Sequence, residues 1–517
     1  MSWWGAFNTE SEAHRILCSR RDPTLFGTAI FALALVQSTE AYASRCGTGE
    51  FLAEIHAAVP QPGPPRPPGP SKTEREAHGT CTGMLVSENF AVKWGLDSEP
   101  EANQLVKIIE ALEKSWSHEL TVMNHAHPWG SGSYLFNVYV GDSGGCAPSA
   151  LGHAGYYYTD PQGWPMIVLS RGVFDNPVDY GQTVVAHEFY HAVQHAEQAY
   201  TSSEDAWWWA EATAMWVEAQ VYPESKGYFS FLYGYAFVPH RQLSSYAYPS
   251  EGRLEEFHQY GASIWPVYLS ELATDWMIVR DSWALAGPDD DPVEIVGSLL
   301  GDDIEDVFAN FAAHNATWDY EDGPEMVEYL DTISETSWFG SDDHRIIETT
   351  GSGAGWADPP VDTLPERFGY NVIGLDRPKA GTLNVAFRGD GEGIDGSAAT
   401  WRVRVVQEQW SGVDYHTVEV PQLTGEADIE LQGTERAVYL VVTVTSPAWN
   451  EGETFDYQYQ FDVTPLPGQE DEGGGRELAK IGDQETRKGC GCAVRGGPSG
   501  IWLLGVLGLG IVRRQEH

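Results

Sequence analysis

Basic residues are scarce in this 517-residue chain: 30 lysines and arginines stand against 75 aspartates and glutamates, a formal net charge of −45. That excludes nucleic acid as a partner, because no basic surface exists to displace counterions from phosphates. The acids are dispersed and read as a solvated face that keeps the protein soluble, with Asp289 Asp290 Asp291 and Asp302 Asp303 as the densest runs. Calcium would also suit acids. The best loop for it, Asp390 to Asp395, lacks a full ligand register and reads as a turn. Long apolar runs are missing too. The last one, Ile501 to Val512, spans only about 18 Å as a helix against the roughly 30 Å of a bilayer core, which speaks against a permanent membrane helix.

The shorter apolar runs carry addresses instead. Leu25 to Val36 follows Arg20 and Arg21 and precedes Ala41 Tyr42 Ala43, a small-residue cleavage site before Ser44. This is the layout of a signal peptide, so the chain is expected to be exported, by a route left open. Of six cysteines, Cys18 leaves with the signal, and Cys490 and Cys492 belong to the C-terminal tail. Cys46, Cys81 and Cys146 remain for an oxidising compartment, which implies one disulfide and one odd thiol. Three pairings are possible. Cys81 with Cys146 is favoured, because Cys46 lies beyond a proline-rich spacer, Val59 to Pro70.

The chemistry concentrates in His187 Glu188 Phe189 Tyr190 His191, followed by Glu211. Two histidines four apart on a helix share a face, so both imidazoles can reach one tetrahedral ion. No proline or interior glycine interrupts Asp179 to Tyr200, and Trp207 to Val221 is a second apolar, helical stretch that brings Glu211 as third ligand. Three protein ligands leave one position for water, as catalytic zinc sites do. Glu188, next to a ligand, takes the place of a general base. His195 shares the helix face but lies about 12 Å from His187, too far to bind the same ion. Gln194 stands where the long metzincin pattern requires glycine.

These residues resemble the gluzincin clan of zinc metallopeptidases, which includes thermolysin-like enzymes and M1-type aminopeptidases. The resemblance implies His187, His191 and Glu211 as zinc ligands, Glu188 as the base, and Tyr260 in Gln259 Tyr260 Gly261 as the group that steadies the oxyanion, with His258 as a weaker candidate. Two departures stand out. Met215 replaces the acid found four residues after the glutamate ligand, and Glu218, on the same helix face, could serve as outer support instead. No GAMEN-type motif for gripping a free amino terminus precedes the pentad, which favours endopeptidase over aminopeptidase. From Asn89 to about Gly340 the chain is similar to a poorly characterised group of metallopeptidases from myxobacteria and their relatives. Its end, from Cys490 through Arg513 and Arg514, resembles a MYXO-CTERM sorting tail, which implies processing machinery, transient membrane association and a cell-surface location.

Along the chain the expected order is a signal peptide (1–43), a proline-rich linker (44–80), a zincin-like catalytic domain (81–345), a β-sandwich (346–465), an acidic glycine-rich linker (466–488) and the sorting tail (489–517). The fold class is α+β. An amphipathic helix around Leu105 to Trp116 should precede three short strands, Tyr134 to Val140, Ala154 to Thr159 and Met166 to Ser170. Helices are expected over Leu254 to Leu272, Trp276 to Ala286, Pro292 to Leu300 and Ile304 to Ala316, followed by alternating strands from about Arg367. The function expected is a zinc endopeptidase acting on protein or peptide. The alternatives are a zinc aminopeptidase, or a non-catalytic surface binding protein built on the same scaffold.

Overall fold

The computed structural model describes residues 46, 48, 72–75, 79–146, 149–150, 153–160, 162–247, 252–349, 355–375, 379–447 and 450–466. The expected signal peptide, the proline-rich run, the acidic linker and the sorting tail lie outside the described residues. Among those described, no helix is long and apolar enough to cross a membrane.

The fold is α+β. It opens with β1 (Gly83–Val86), β2 (Phe90–Trp94), α1 (Ala102–Ser115), β3 (Phe136–Val140), β4 (Gly155–Thr159) and β5 (Pro165–Leu169). These strands form one mixed sheet in the order β1-β2-β3-β5-β4, so β4 lies at an edge and runs antiparallel to β5. The sheet's rim is pinned by the Cys81–Cys146 disulfide, the favoured pairing, and Cys46 is left as a free buried thiol.

After a short α2 (Arg171–Asp175) come α3 (Tyr180–Glu197) and α4 (Trp207–Val221), both close to their expected bounds. Each is buried nearly all round. A helix with no solvent face belongs in the centre of a domain, and here the two pack side by side, with α3 lying against β4 and β5 of the sheet. The helical half continues through α5 (Tyr233–Ala236), α6 (His258–Gly261), α7 (Ile264–Ala273), α8 (Met277–Ala284), α9 (Pro292–Leu300), α10 (Ile304–Asn315) and α11 (Gly323–Thr336).

The single helix expected over Leu254 to Leu272 is instead a 3₁₀ turn (Leu254–Phe257), α6 and α7. Two residues explain the break. A Cβ on Gly261 would lie 2.5 Å from the backbone nitrogen of Tyr235, so only glycine fits there, and glycine is a poor residue for carrying a helix onward. Pro266 has no N–H for an upstream carbonyl, and the restart at Ile264 places it in a first turn where none is needed. The densest acidic runs also prove to be more than a solvated face. Asp291 caps α9 through Val293 N at 2.7 Å, and Asp303 caps α10 through Glu305 N at 3.1 Å.

The remainder is a sandwich. β6 (Ile347–Glu348), β7 (Gly369–Leu375), β8 (Gly381–Gly389), β9 (Thr400–Gln409), β10 (Gly412–Val418), β11 (Thr424–Leu431), β12 (Ala437–Thr445) and β13 (Tyr457–Pro465) form two sheets, β10-β9-β12-β7-β6 and β11-β8-β13. The larger sheet is covered on both sides. Val438, Leu440, Val442 and Val444 of β12 face the smaller sheet, whereas Tyr439 and Val441 join the core of the helical half. Period-two alternation therefore sends successive residues into two different cores. The loop Asp390 to Asp395 closes as a turn in which Glu453 accepts the Asp395 and Ser397 amides.

Candidate metal centre

The helical spacing does what it should. The rings of His187 and His191, one turn apart on α3, lie 4.9 Å centroid to centroid, and both Nε2 atoms point at Glu211 on α4. His187 Nε2 is 3.3 Å and His191 Nε2 3.7 Å from Glu211 Oε2. Cys46 Sγ stands 3.3 Å from His191 Nε2. Ligand atoms of these four residues all lie within 4.8 Å of one another, and among the described residues no other group of three or more His, Cys, Asp or Glu converges this way.

The three pairwise spacings of 3.3 and 3.7 Å suit a cation. Donors about 2.0–2.3 Å from a tetrahedral ion lie about 3.3–3.8 Å from one another. The outer contacts point the same way. His187 Nδ1 faces Glu218 Oε1 at 3.1 Å, and His191 Nδ1 faces Gln194 Oε1 at 2.8 Å. Gln194 is itself oriented, since its amide group donates to Ala210 O and Thr213 Oγ1. Each Nδ1 thus has an acceptor for a proton and each Nε2 is aimed inward, the arrangement that fixes tautomer and direction when a histidine binds a metal. Glu218 takes the supporting role suggested by its helix face. Gln194 was noticed only as a departure from another motif, and its partner three residues away on the same helix was the signal available.

Charge completes the fit. Three carboxylates, Glu188, Glu211 and Glu218, crowd two imidazoles in a space closed to water. Burial alone would raise the Glu211 carboxyl, but the His191 and His187 imidazoles outweigh it and hold it down at about 2. Burial would lower His187, yet hydrogen bonds accepted by Glu211 and Glu218 lift it to about 9. Glu188 goes the other way, raised by burial. Glu188 Oε1 and Glu211 Oε1 are buried without a hydrogen-bond partner, a costly condition that a cation or a water on it would relieve.

The remaining candidates surround this cluster. Tyr260 is buried, its ring 6.5 Å from that of His187, and its hydroxyl donates to Cys46 O at 3.2 Å. His258 turns elsewhere, with Nδ1 3.2 Å from Ser245 O, and burial holds it at about 3. His195 lies outside the ligand cluster. It is buried against Trp129 and accepts or donates at 2.6 Å to the Tyr157 hydroxyl. It helps line an apolar cavity beside His191, together with Tyr157, Tyr200, Trp207 and Trp283.

Two participants were not read from the sequence, Cys46 and Thr48. Both fall in the stretch assigned to a linker, and both reach the centre. Thr48 Oγ1 donates to Glu188 Oε2 at 3.1 Å, and Cys46 Sγ lies 3.5 Å from the same oxygen. The only local hint was that Cys46 is the odd thiol.

Over residues 73–465 the chain matches the family described as "Family of unknown function (DUF6055)", and it belongs to that family. No curated protein matches it. Among solved structures, a similar chain is that of a GH115 family 4-O-methyl-alpha-glucuronidase with specificity for decorated arabinogalactans, at 11% identity and a TM-score of 0.13. The likeness covers 59% of this chain and 47% of that one, so the chain spans about half the enzyme's length, and a likeness this slight carries no argument.

Proposed function

We propose that this member of the DUF6055 family is an exported zinc-dependent endopeptidase of gluzincin type. The observation that carries the reading is the pair of imidazoles whose Nδ1 atoms are held by Glu218 and Gln194 while both Nε2 atoms face Glu211, with Glu188 buried alongside. His187, His191 and Glu211 would hold the ion. When bound, zinc lowers the pKa of water to about 7 and polarises a carbonyl.

The chain's own residues supply the rest. Glu188, whose proton affinity is raised by burial, accepts a proton from the attacking water and returns it to the leaving amine. The Tyr260 hydroxyl, on a ring 6.5 Å from that of His187, donates to the oxyanion. β4, the last strand of the mixed sheet and a neighbour of α3, has the edge along which an extended peptide would pair. Export agrees with the Cys81–Cys146 disulfide, which suits an oxidising compartment.

The test uses the full chain with Cys46→Ala, which opens the fourth donor position. One zinc per chain is expected, lost on His187→Ala. Casein should be cleaved, and Glu188→Gln should slow cleavage by about 10³-fold or more while zinc stays bound, the scale of removing a general base. Zinc-loaded protein that leaves casein and mixed peptide substrates intact would sink the peptidase reading.

A further inference from the structure

We propose that the segment carrying Cys46 and Thr48 is an autoinhibitory latch: Cys46 sulfur is the fourth metal ligand, and the segment occupies the place of substrate along β4. The inference rests on the zinc reading above, and goes beyond it in assigning the chain its own inhibitor.

Four separate contacts carry it. First, Cys46 is fully buried, and its Sγ lies in the donor cluster at the 3.3 Å from His191 Nε2 that a shared tetrahedral ion would give. Second, Cys46 pairs with Gly155 in a parallel bridge, and Thr48 Oγ1 accepts the Tyr157 amide at 2.9 Å, so the segment is seated on the free edge of β4. Third, Thr48 Oγ1 donates to Glu188 Oε2, occupying the base. Fourth, Cys46 O accepts the Tyr260 hydroxyl, as a substrate carbonyl would. Every group the proposed hydrolysis needs is engaged by these two residues.

Nothing in chain connectivity forces this. The contacts join residues 109 to 214 positions apart. Cys46 is also chemically free to serve, because Cys81 and Cys146 are bonded to each other. The Cys46 thiol donates to Glu188 Oε2 across 3.5 Å, so a proton released from the sulfur would have an acceptor beside it. Downstream the chain is anchored independently. Thr73 pairs with Tyr134, and Arg75 binds Asp160 at 2.8 Å, so a single cut between residues 48 and 72 would sever the latch from this anchor.

Cobalt(II) loaded into the full-length chain in place of zinc reads the sulfur directly. Wild type should show a sulfur-to-cobalt charge-transfer band in the near ultraviolet, absent from Cys46→Ser and Cys46→Ala, with the visible bands of bound cobalt kept in all three. Acetohydroxamate, a small bidentate zinc ligand, should shift the visible bands of the variants and leave wild type unchanged. Casein hydrolysis should rise about 10- to 1,000-fold in the variants, the inverse of an open fraction of about 10% to 0.1%. A chain with a site-specific protease sequence inserted between Gly63 and Pro64 guards against misfolding of the variants: cutting it should abolish the sulfur band and admit the hydroxamate. Cobalt bound without a sulfur band overturns the latch and leaves the metal site standing. A sulfur band that persists after the cut, with hydroxamate still excluded, makes Cys46 a permanent structural ligand and overturns it equally. Failure of every form to bind cobalt removes the zinc reading first, and the latch with it.

Discussion

The chamber around Glu211 and the strand β12 are both closed to water, yet they are closed with opposite chemistry. β12 reads Ala-Val-Tyr-Leu-Val-Val-Thr-Val-Thr and fills two apolar cores from its two faces. The chamber holds three carboxylates, two imidazoles and a thiol. In the sandwich a buried side-chain polar atom without a partner occurs once among the described residues, at Glu435 Oε2, whereas the chamber alone has Glu188 Oε1 and Glu211 Oε1. Burying a carboxylate oxygen with nothing to bond costs kilocalories, while burying valine gains them. A fold keeps the first arrangement only where something else is returned, so the contrast separates a region kept for stability from one kept for chemistry.

Leu440→Ala sharpens that separation most. Leu440 is fully buried between the two sheets, and truncating it should cost about 2–5 kcal/mol by lost burial and the cavity left behind. Urea unfolding would measure the loss. Zinc content and metal affinity of the folded fraction should not change, and a variant that lost metal in proportion to stability would show the two regions to be one energetic unit.

Gln194→Ala and Glu218→Gln act in the other region and should reverse the pattern. Each removes the acceptor that orients one imidazole, and loss of such a partner lowers metal affinity about 10- to 100-fold. Competition with a chromophoric chelator would read it. Unchanged affinity in both would mean that the Nδ1 contacts are packing only, and the main support for a metal at this position would be gone.

The legibility of the molecule divides along a different line. α3 and α4 could be read almost to the residue, because their apolar content is continuous and His187 and His191 recur at helical spacing. Glu218 could be placed because it shares a face with Glu211. Six of the sandwich strands, β8 to β13, were visible through alternation, and β6 and β7 were not assigned. What stayed hidden was non-local: Cys46 and Thr48 meet Glu188 across 142 and 140 residues, and no local pattern encodes such a meeting. The break before α7 was missed for a related reason. Gly261 yields to the close approach of Tyr235, which lies on another element. β1, β2 and α11 were not assigned at all. β1 and β2 are four and five residues long, too short for periodicity to speak.

The smallest effect is expected where the two regions join. Asp303, Glu305 and Asp306 crowd the start of α10, which the helix dipole favours but their mutual repulsion opposes. Arg402 of β9 resolves this, reaching Asp303 and Glu305 at 2.8 Å each and Asp306 at 3.2 Å, and Arg404 adds a second contact to Asp306 at 2.9 Å. Arg402 is about a quarter exposed, so solvent screens most of the attraction, and Arg402→Ala should cost only about 0.2–1 kcal/mol. Its value lies in the shape of the unfolding curve. Tyr439 and Val441 bind the larger sheet into the core of the helical half, so apolar packing rather than these charges should couple the regions, and a single transition should persist in the variant. A curve that splits in two, with the metal-binding half retaining its own midpoint, would mean that the ion pairs hold the regions together and that the contrast between them extends to independent folding.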